Sequence, residues 1–187
     1  MSFFLTRTLG LDRVRPTAAE VDSPMPGDAL LPSPDAVMDR AFTLRAPPED
    51  VWPWLVQLGK HRAGWYMTHR VERFVPRARR ASRHVDQRWQ HLDVGSVIPD
   101  YGGRDETFTV AEIDPPHTLV YVSRRGRTEV TWAITVAPLD DRSSRVRLRL
   151  RLGPVRRKWP IAVAGEAIDL ITISWLAGGL RERVERG

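Results

Sequence analysis

The chain contains no cysteine in its 187 residues. That excludes a disulfide scaffold, a thiolate nucleophile, Cys-ligated zinc and iron–sulfur clusters. Lysine is scarce: of 29 basic residues only Lys60 and Lys158 are Lys, and 27 are Arg. Long apolar runs are missing. Phe3, Phe4 and Leu5 are followed by Arg7, too short a stretch for a signal-peptide core. The most apolar later stretch, 161–180, carries Glu166 and Asp169 as well as Gly165, Gly178 and Gly179. A membrane span needs about 20 predominantly apolar residues, so no transmembrane segment is expected and a cytoplasmic location is. There is no G-x-S-x-G elbow, phosphate-binding P-loop, dinucleotide fingerprint or H-E-x-x-H. Serine hydrolysis, nucleotide hydrolysis and hydride transfer therefore have no support, no catalytic residue is assigned and no cofactor is expected.

What is present is globular. Hydrophobic residues make up 42% and charged residues 28%, which argues against a disordered chain. The length suits one domain of ordinary size. The formal charge of +6 would suit a polyanionic partner. An excess of Arg, Ala and Pro is also what a GC-rich coding sequence produces. A solvated basic surface is the plainer expectation, with no nucleic-acid partner.

Residues 1–36 form a Pro-rich N-terminal arm. Its stretch 12–36 contains Pro16, Pro24, Pro26, Gly27, Pro32 and Pro34, too many breakers for any period to persist. Val21, Met25, Leu30 and Leu31 are its candidate contacts with the rest of the chain. Residues 37–187 read as the domain. The stretch 37–45 is a strand with Met38, Phe42 and Leu44 on one face and Arg40 among them. A long side chain snorkelling to solvent from the strand end is the plain explanation of Arg40. Pro47, Pro48, Glu49 and Asp50 then open a helix, with Val51, Trp54, Leu55 and Leu58 at helical spacing. A second short helix is expected over 64–75. The connection 77–91 is basic and polar.

From Leu92 the period becomes two, with strands near 94–99, 106–113, 117–124, 127–138 and 143–152. In the last, Val146, Leu148, Leu150 and Leu152 alternate with Arg145, Arg147, Arg149 and Arg151. That alternation predicts one face on a core and one in water, and an Arg-rich edge strand would resist edge-to-edge pairing. Short turns imply an antiparallel meander. A long helix follows from Trp159-Pro160 towards Arg186, with Ile161, Ala164, Ile168, Ile171 and Trp175 as its apolar stripe. The fold class is α+β: a curved antiparallel sheet of about six strands, two short helices after the first strand, and a long C-terminal helix covering the sheet.

That order, with these residues, resembles the SRPBCC superfamily of START-like and polyketide-cyclase-like helix-grip proteins. The stretches that carry the resemblance are RAFTLRAPPEDVWPWLVQLG, RAGWYMTHRVERF, DQRWQHLDVGSVIPD, FTVAEIDPPHTLVYVS, TWAITVAPLDDRSSRVRLRL and LAGGLRERVER, together spanning about 37–187. PMPGDALLP in the arm resembles the leader of one bacterial branch. The resemblance implies a helix-grip fold with a cavity between sheet and helix. It does not fix a function, because the superfamily holds lipid carriers, hormone and polyketide binders and cyclases.

The aromatic residues Trp65, Tyr66, Trp89, Tyr101, Phe108, Tyr121, Trp132 and Trp175 lie on elements that should face the grip. Aromatic rings bring apolar area and, for Tyr and Trp, one polar handle. Ordinary core packing is the alternative for each. The candidate cavity residues are Arg40, Trp65, Tyr66, Tyr101, Phe108, Tyr121, Trp132 and Asp169, with Arg40 or Asp169 as a polar anchor. Glu166 and Asp169 share a helix face, and a carboxyl buried beside a cavity could move protons. A solvated polar edge is the plainer reading of that pair. His61, His69, His84, His91 and His117 have no ligand-like spacing, so no metal site is expected. The function expected is binding of a small, largely hydrophobic molecule such as a lipid or polyketide. A cyclase or aromatase is the alternative, and a module engaging a protein or an anionic polymer is the third reading. The oligomeric state is not legible.

Overall fold

The alternating stretches from Val97 onward fold as expected, into a single six-stranded antiparallel sheet. The structure, a computed structural model, describes residues 14–155 and 158–185, the side chains of 158–164 excepted. The strands are β1 (Ala36–Leu44), β2 (Val97–Pro99), β3 (Thr107–Asp114), β4 (Thr118–Arg125), β5 (Thr128–Asp140) and β6 (Ser143–Gly153). Their order across the sheet is β1-β6-β5-β4-β3-β2. The helices are α1 (Ala18–Asp22), α2 (Pro48–Gln57), α3 (His69–Glu72) and the long α4 (Lys158–Val184). This is the α+β helix-grip arrangement.

Register puts the apolar residues on one face. Met38 stands opposite Leu150 and Arg40 opposite Leu148. Trp132 stands opposite Leu150 on one side and Tyr121 on the other. That face meets α4 through Ile173, Leu176, Ala177 and Leu180, all buried. The stripe expected on α4 is therefore rotated. Ile168, Ile171 and Trp175 are exposed by 40% or more, and the side chains of Ile161 and Ala164 lie outside the described residues.

The last turns of α4 are held closely. A Cβ at Gly179 would lie 2.5 Å from the Met67 nitrogen and 2.6 Å from the Tyr66 carbonyl carbon, so only glycine lets the helix approach this backbone. Arg183 is buried there, 2.9 Å from the Glu72 carboxylate, and its guanidinium lies 4.5 Å from the centre of the Tyr66 ring. Arg83 pairs with Glu72 at 2.5 Å and Glu182 at 3.1 Å.

The second short helix is shorter than expected, four residues of α3. Gly64 has φ +87° and bridges Gly59, and residues 65–68 run on as irregular backbone. Apolar spacing suggested helix there, but the residues are fixed one at a time by tertiary contacts.

The larger correction concerns the arginines of β6. β6 lies between β1 and β5, not at an edge, and its Arg face is covered. A capping box starts α1: the Glu20 N–H donates to Thr17 Oγ1, and the Thr17 N–H to Glu20 Oε2. Glu20 then accepts Arg145 at 2.7 and 2.8 Å, and this pairing holds its carboxyl down at about 2. Arg149, with 5% of its side chain exposed, lies 2.7 Å from Asp39 and 2.9 Å from Asp28. Arg151 also reaches Asp28, at 3.0 Å. Met25 packs on Val120 and Ala133 as a small second core, while Val21 and Leu30 stay exposed. Gly27 (φ +82°) passes so close to Val120 that a Cβ would lie 2.6 Å from its methyl.

Removing one member of a buried ion pair leaves the other charged, dry and unpaired, at a cost of about 3–5 kcal/mol. Glu72→Ala is therefore expected to lower unfolding free energy by about that amount in urea titration, since it leaves the buried Arg183 without a carboxylate, while Arg83 keeps Glu182. A loss under about 1 kcal/mol, in the range of an exposed pair, would contradict the account of this end of α4.

Candidate functional site

From Gly165 to Trp175, α4 reaches the sheet through Gly165 against Met38 and through Arg40, and space remains beside these contacts. That space is a cavity of about 670 Å³. β1, β5 and β6 contribute Met38, Thr128, Val130, Trp132, Leu150 and Leu152. Phe108 comes from β3, and Trp65 and Met67 come from the irregular segment before α3. The helix contributes Gly165, Ile168, Asp169, Thr172, Ile173 and Trp175. Asp100, Tyr101 and Gly102 line it from the loop after β2, and Arg125 lines it from the end of β4, where it pairs with Asp100. Such a volume and apolar lining match those of small-molecule pockets.

An aromatic cluster forms one wall. Trp132 is at its centre, stacked on Tyr121 (ring centres 5.8 Å apart) and on Trp65 (6.1 Å), with Phe108 tilted at 5.9 Å. Tyr101 meets the Trp65 ring edge-on at 6.1 Å. Trp65 Nε1 donates to the Thr172 carbonyl at 3.1 Å, tying this wall to α4. The indole thus keeps its polar handle satisfied while its face stays apolar.

Arg40 does not reach solvent. It lies 7% exposed on the apolar face of β1, with Nη2 2.7 Å from Glu166 Oε1 and Nε 2.9 Å from Asp169 Oδ2. The contact with Asp169 is ionic but misaligned, and neither of those two atoms has a hydrogen-bond partner among the described residues. Arg40 Nη1 donates to the Asp39 carbonyl at 2.8 Å. The acids are therefore not a solvated edge. Asp169 is largely buried, Glu166 is half-exposed, and both are held by one cation from the sheet. Burial raises the Asp169 carboxyl to about 6; Arg40 opposes this rise and Glu166 adds to it.

Of the residues expected around the cavity, Trp65, Tyr101, Phe108, Trp132 and Asp169 line it. Arg40 sits behind Asp169. Tyr66 belongs to the core instead. Fully buried, its hydroxyl donates to the Trp54 carbonyl at 2.9 Å and accepts from Gln57 Nε2 at 3.0 Å. Tyr121 is buried behind Trp132 and Phe108, which stand between it and the space. Trp89 lies elsewhere, beside Arg62 and Arg88. Sequence reasoning missed Met38, Val130, Leu150 and Leu152. The signal for them was the strand alternation that put them on Arg40's face. Among the described residues no group of three or more His, Asp or Glu could hold a metal ion, and no helix is long and apolar enough to cross a membrane.

No protein-family model and no curated protein matches this sequence. Solved structures do resemble the fold. CalU16 from Micromonospora echinospora is 12% identical, with a TM-score of 0.51, over 80% of this chain and 79% of that one. CV1439 from Chromobacterium violaceum is 16% identical, with a TM-score of 0.50, over 80% of this chain and 96% of that one. MLL2253 from Mesorhizobium loti is 14% identical, also at 0.50, over 81% and 98%. At such identities the likeness is one of fold alone.

The Asp169 environment has a measurable consequence. The folded state binds this proton more tightly than the unfolded chain, whose value is 3.8. The contribution to stability is therefore full below the unfolded value, is lost as pH rises to about 6, and is flat above. A carboxyl-carbon NMR titration is expected to give a midpoint near 6 for Asp169 in the wild type. A midpoint below 4 would show that Arg40 outweighs burial.

Proposed function

We propose that the chain is a member of the SRPBCC superfamily that binds a small, largely hydrophobic molecule, lipid- or polyketide-like, between its sheet and α4. The observation that carries this reading is the cavity itself: about 670 Å³, walled by aromatic and aliphatic side chains. Trp65, Phe108 and Trp132 offer flat apolar contact, and Tyr101 stands half-exposed beside the opening. Asp169 is the one acid on the helix wall and serves as the polar anchor for a hydroxyl or other donor on the ligand, with Arg40 behind it.

A cyclase- or aromatase-type reaction is the second reading, and one observation favours it. A carboxyl near 6 beside an apolar cavity is suited to exchanging protons at neutral pH. In that reading the cavity holds the substrate folded and Asp169 transfers the proton.

The test uses N-phenyl-1-naphthylamine, a neutral apolar fluorophore. The wild type is expected to bind it saturably at one site, with energy transfer from the cavity tryptophans. Thr172→Trp places an indole in the space from the helix side. It is expected to weaken binding at least about tenfold, the loss of roughly 1.4 kcal/mol or more, with little change in melting temperature. Equal affinity in the two proteins would sink the binding reading.

A further inference from the structure

The geometry points to a second site, for a phosphate group, in a polar pocket of about 270 Å³ formed by the 62–63 turn and the 80–89 connection. It shares no residue with the apolar cavity. Arg62, Arg80 and Arg88 line it together with Ser82, His84 and Trp89.

Two of these arginines are held in place without being neutralised. Arg62 Nη2 donates to the carbonyls of Val56 (3.1 Å) and Trp89 (2.9 Å), and its guanidinium lies 4.8 Å from the centre of the Trp89 ring. Its Nε is buried with no hydrogen-bond partner among the described residues. Arg80 donates from Nε to the Val75 carbonyl at 2.9 Å and from Nη2 to the Arg73 carbonyl at 3.2 Å. Neither pairs with a carboxylate among the described residues. Carbonyls fix the orientation of a guanidinium but leave its charge uncompensated.

Arg88 differs. Asp86 takes its guanidinium at 2.6 Å and accepts its backbone N–H at 3.0 Å, so this pair closes one side and contributes no net charge. Ser82 Oγ and the His84 backbone exchange hydrogen bonds of 2.8 and 3.2 Å, which fixes that hydroxyl at the pocket. The site thus presents two uncompensated guanidinium groups whose other nitrogens are fixed or buried, leaving Nη1 of Arg62 and Nη1 of Arg80 without a hydrogen-bond acceptor among the described residues, beside Ser82 and His84. A tetrahedral oxyanion can offer separate oxygens to the two Nη1 groups and so accept charge-assisted hydrogen bonds from both arginines.

The surroundings add long-range attraction. Residues 69–91 hold seven Arg against only Glu72 and Asp86. Arg70, Arg73, Arg77 and Arg79 are exposed and lack a carboxylate partner among the described residues. Their positive field raises the local concentration of any anion. The connection is solvated as expected, and within it Arg80 and Arg88 differ from Arg70, Arg73, Arg77 and Arg79 in being oriented by hydrogen bonds.

The test is an amide-resolved NMR titration with inorganic phosphate, at ionic strength held constant with chloride. The Ser82, His84 and Arg88 amides are expected to shift together and saturate as one site. Arg80→Gln, checked for an otherwise unchanged spectrum, is expected to weaken binding about tenfold or more, as loss of a charge-assisted hydrogen bond does. Arg70→Gln with Arg73→Gln should change it by less than about threefold, the share of an exposed charge. Arg80→Lys, which keeps the charge but loses the carbonyl-anchored guanidinium and its Nη1, replaces Arg80→Gln should that variant not fold, and it too should bind more weakly.

A second arm uses phosphatidic-acid vesicles. Flotation lost with the Arg80 variant assigns the phosphate to a lipid headgroup; saturation by inorganic phosphate without flotation assigns it to a small soluble phosphate. The proposal is overturned if shifts fail to saturate and spread over 70–79. It is equally overturned if the Arg80 variant titrates like the wild type.

Discussion

The site depends on how α4 is held, and the helix is held differently at its two ends. In its C-terminal half the missing Cβ of Gly179 lets backbone approach backbone, while Ile173, Leu176 and Leu180 fill the space to the sheet. Burial of those three contributes about 1.5–3 kcal/mol each. In its N-terminal half an arginine reaches up from the sheet to two acids on the helix. A side chain as long as Arg40 is a spacer as well as a tie. Drying Arg40 costs several kcal/mol, which the packed half can offset. A helix packed at one end and propped at the other encloses a wedge, and the wedge is the cavity.

Both faces of the sheet obey the same electrostatic logic. On the inner face one cation meets Glu166 and Asp169. On the outer face Arg145, Arg149 and Arg151 meet Glu20, Asp28 and Asp39 from the arm and β1. The described part of the arm, from residue 14 on, has only short elements because its prolines forbid long ones, and its acids and carbonyls are the counter-groups of a row of arginines. Covering β4 and β5 with Met25 also removes Val120 and Ala133 from water. Trp132, whose face lines the cavity, is therefore carried by a strand covered from behind.

Local pattern made most of the fold legible. Alternation marked β3 to β6 because each strand has an apolar inner face, and the Pro-Glu-Asp entrance marked α2. What was not legible depended on partners far away in the chain. Arg40 read as a snorkelling residue because its acids lie more than 120 positions later. The Arg face of β6 read as solvated because Glu20 lies about as far before it. Residues 64–68 read as helix because Trp65 and Tyr66 have helical neighbours in spacing. In fact one is fixed by the Thr172 carbonyl and the other by Trp54 and Gln57. For the cavity, the aromatic residue types pointed to the wall. Only the three-dimensional arrangement separates Trp132, which faces the space, from Tyr121, which stands behind it.

The central claim is that this wedge is occupied by an apolar molecule. Native mass spectrometry of the purified protein, followed by denaturing extraction, tests it most directly. The account predicts a defined adduct at about one per chain, released on unfolding and identified as a largely apolar molecule with a hydrogen-bonding group. Protein that carries no adduct, and gains none when incubated with a panel of lipids and polyketides, would contradict it.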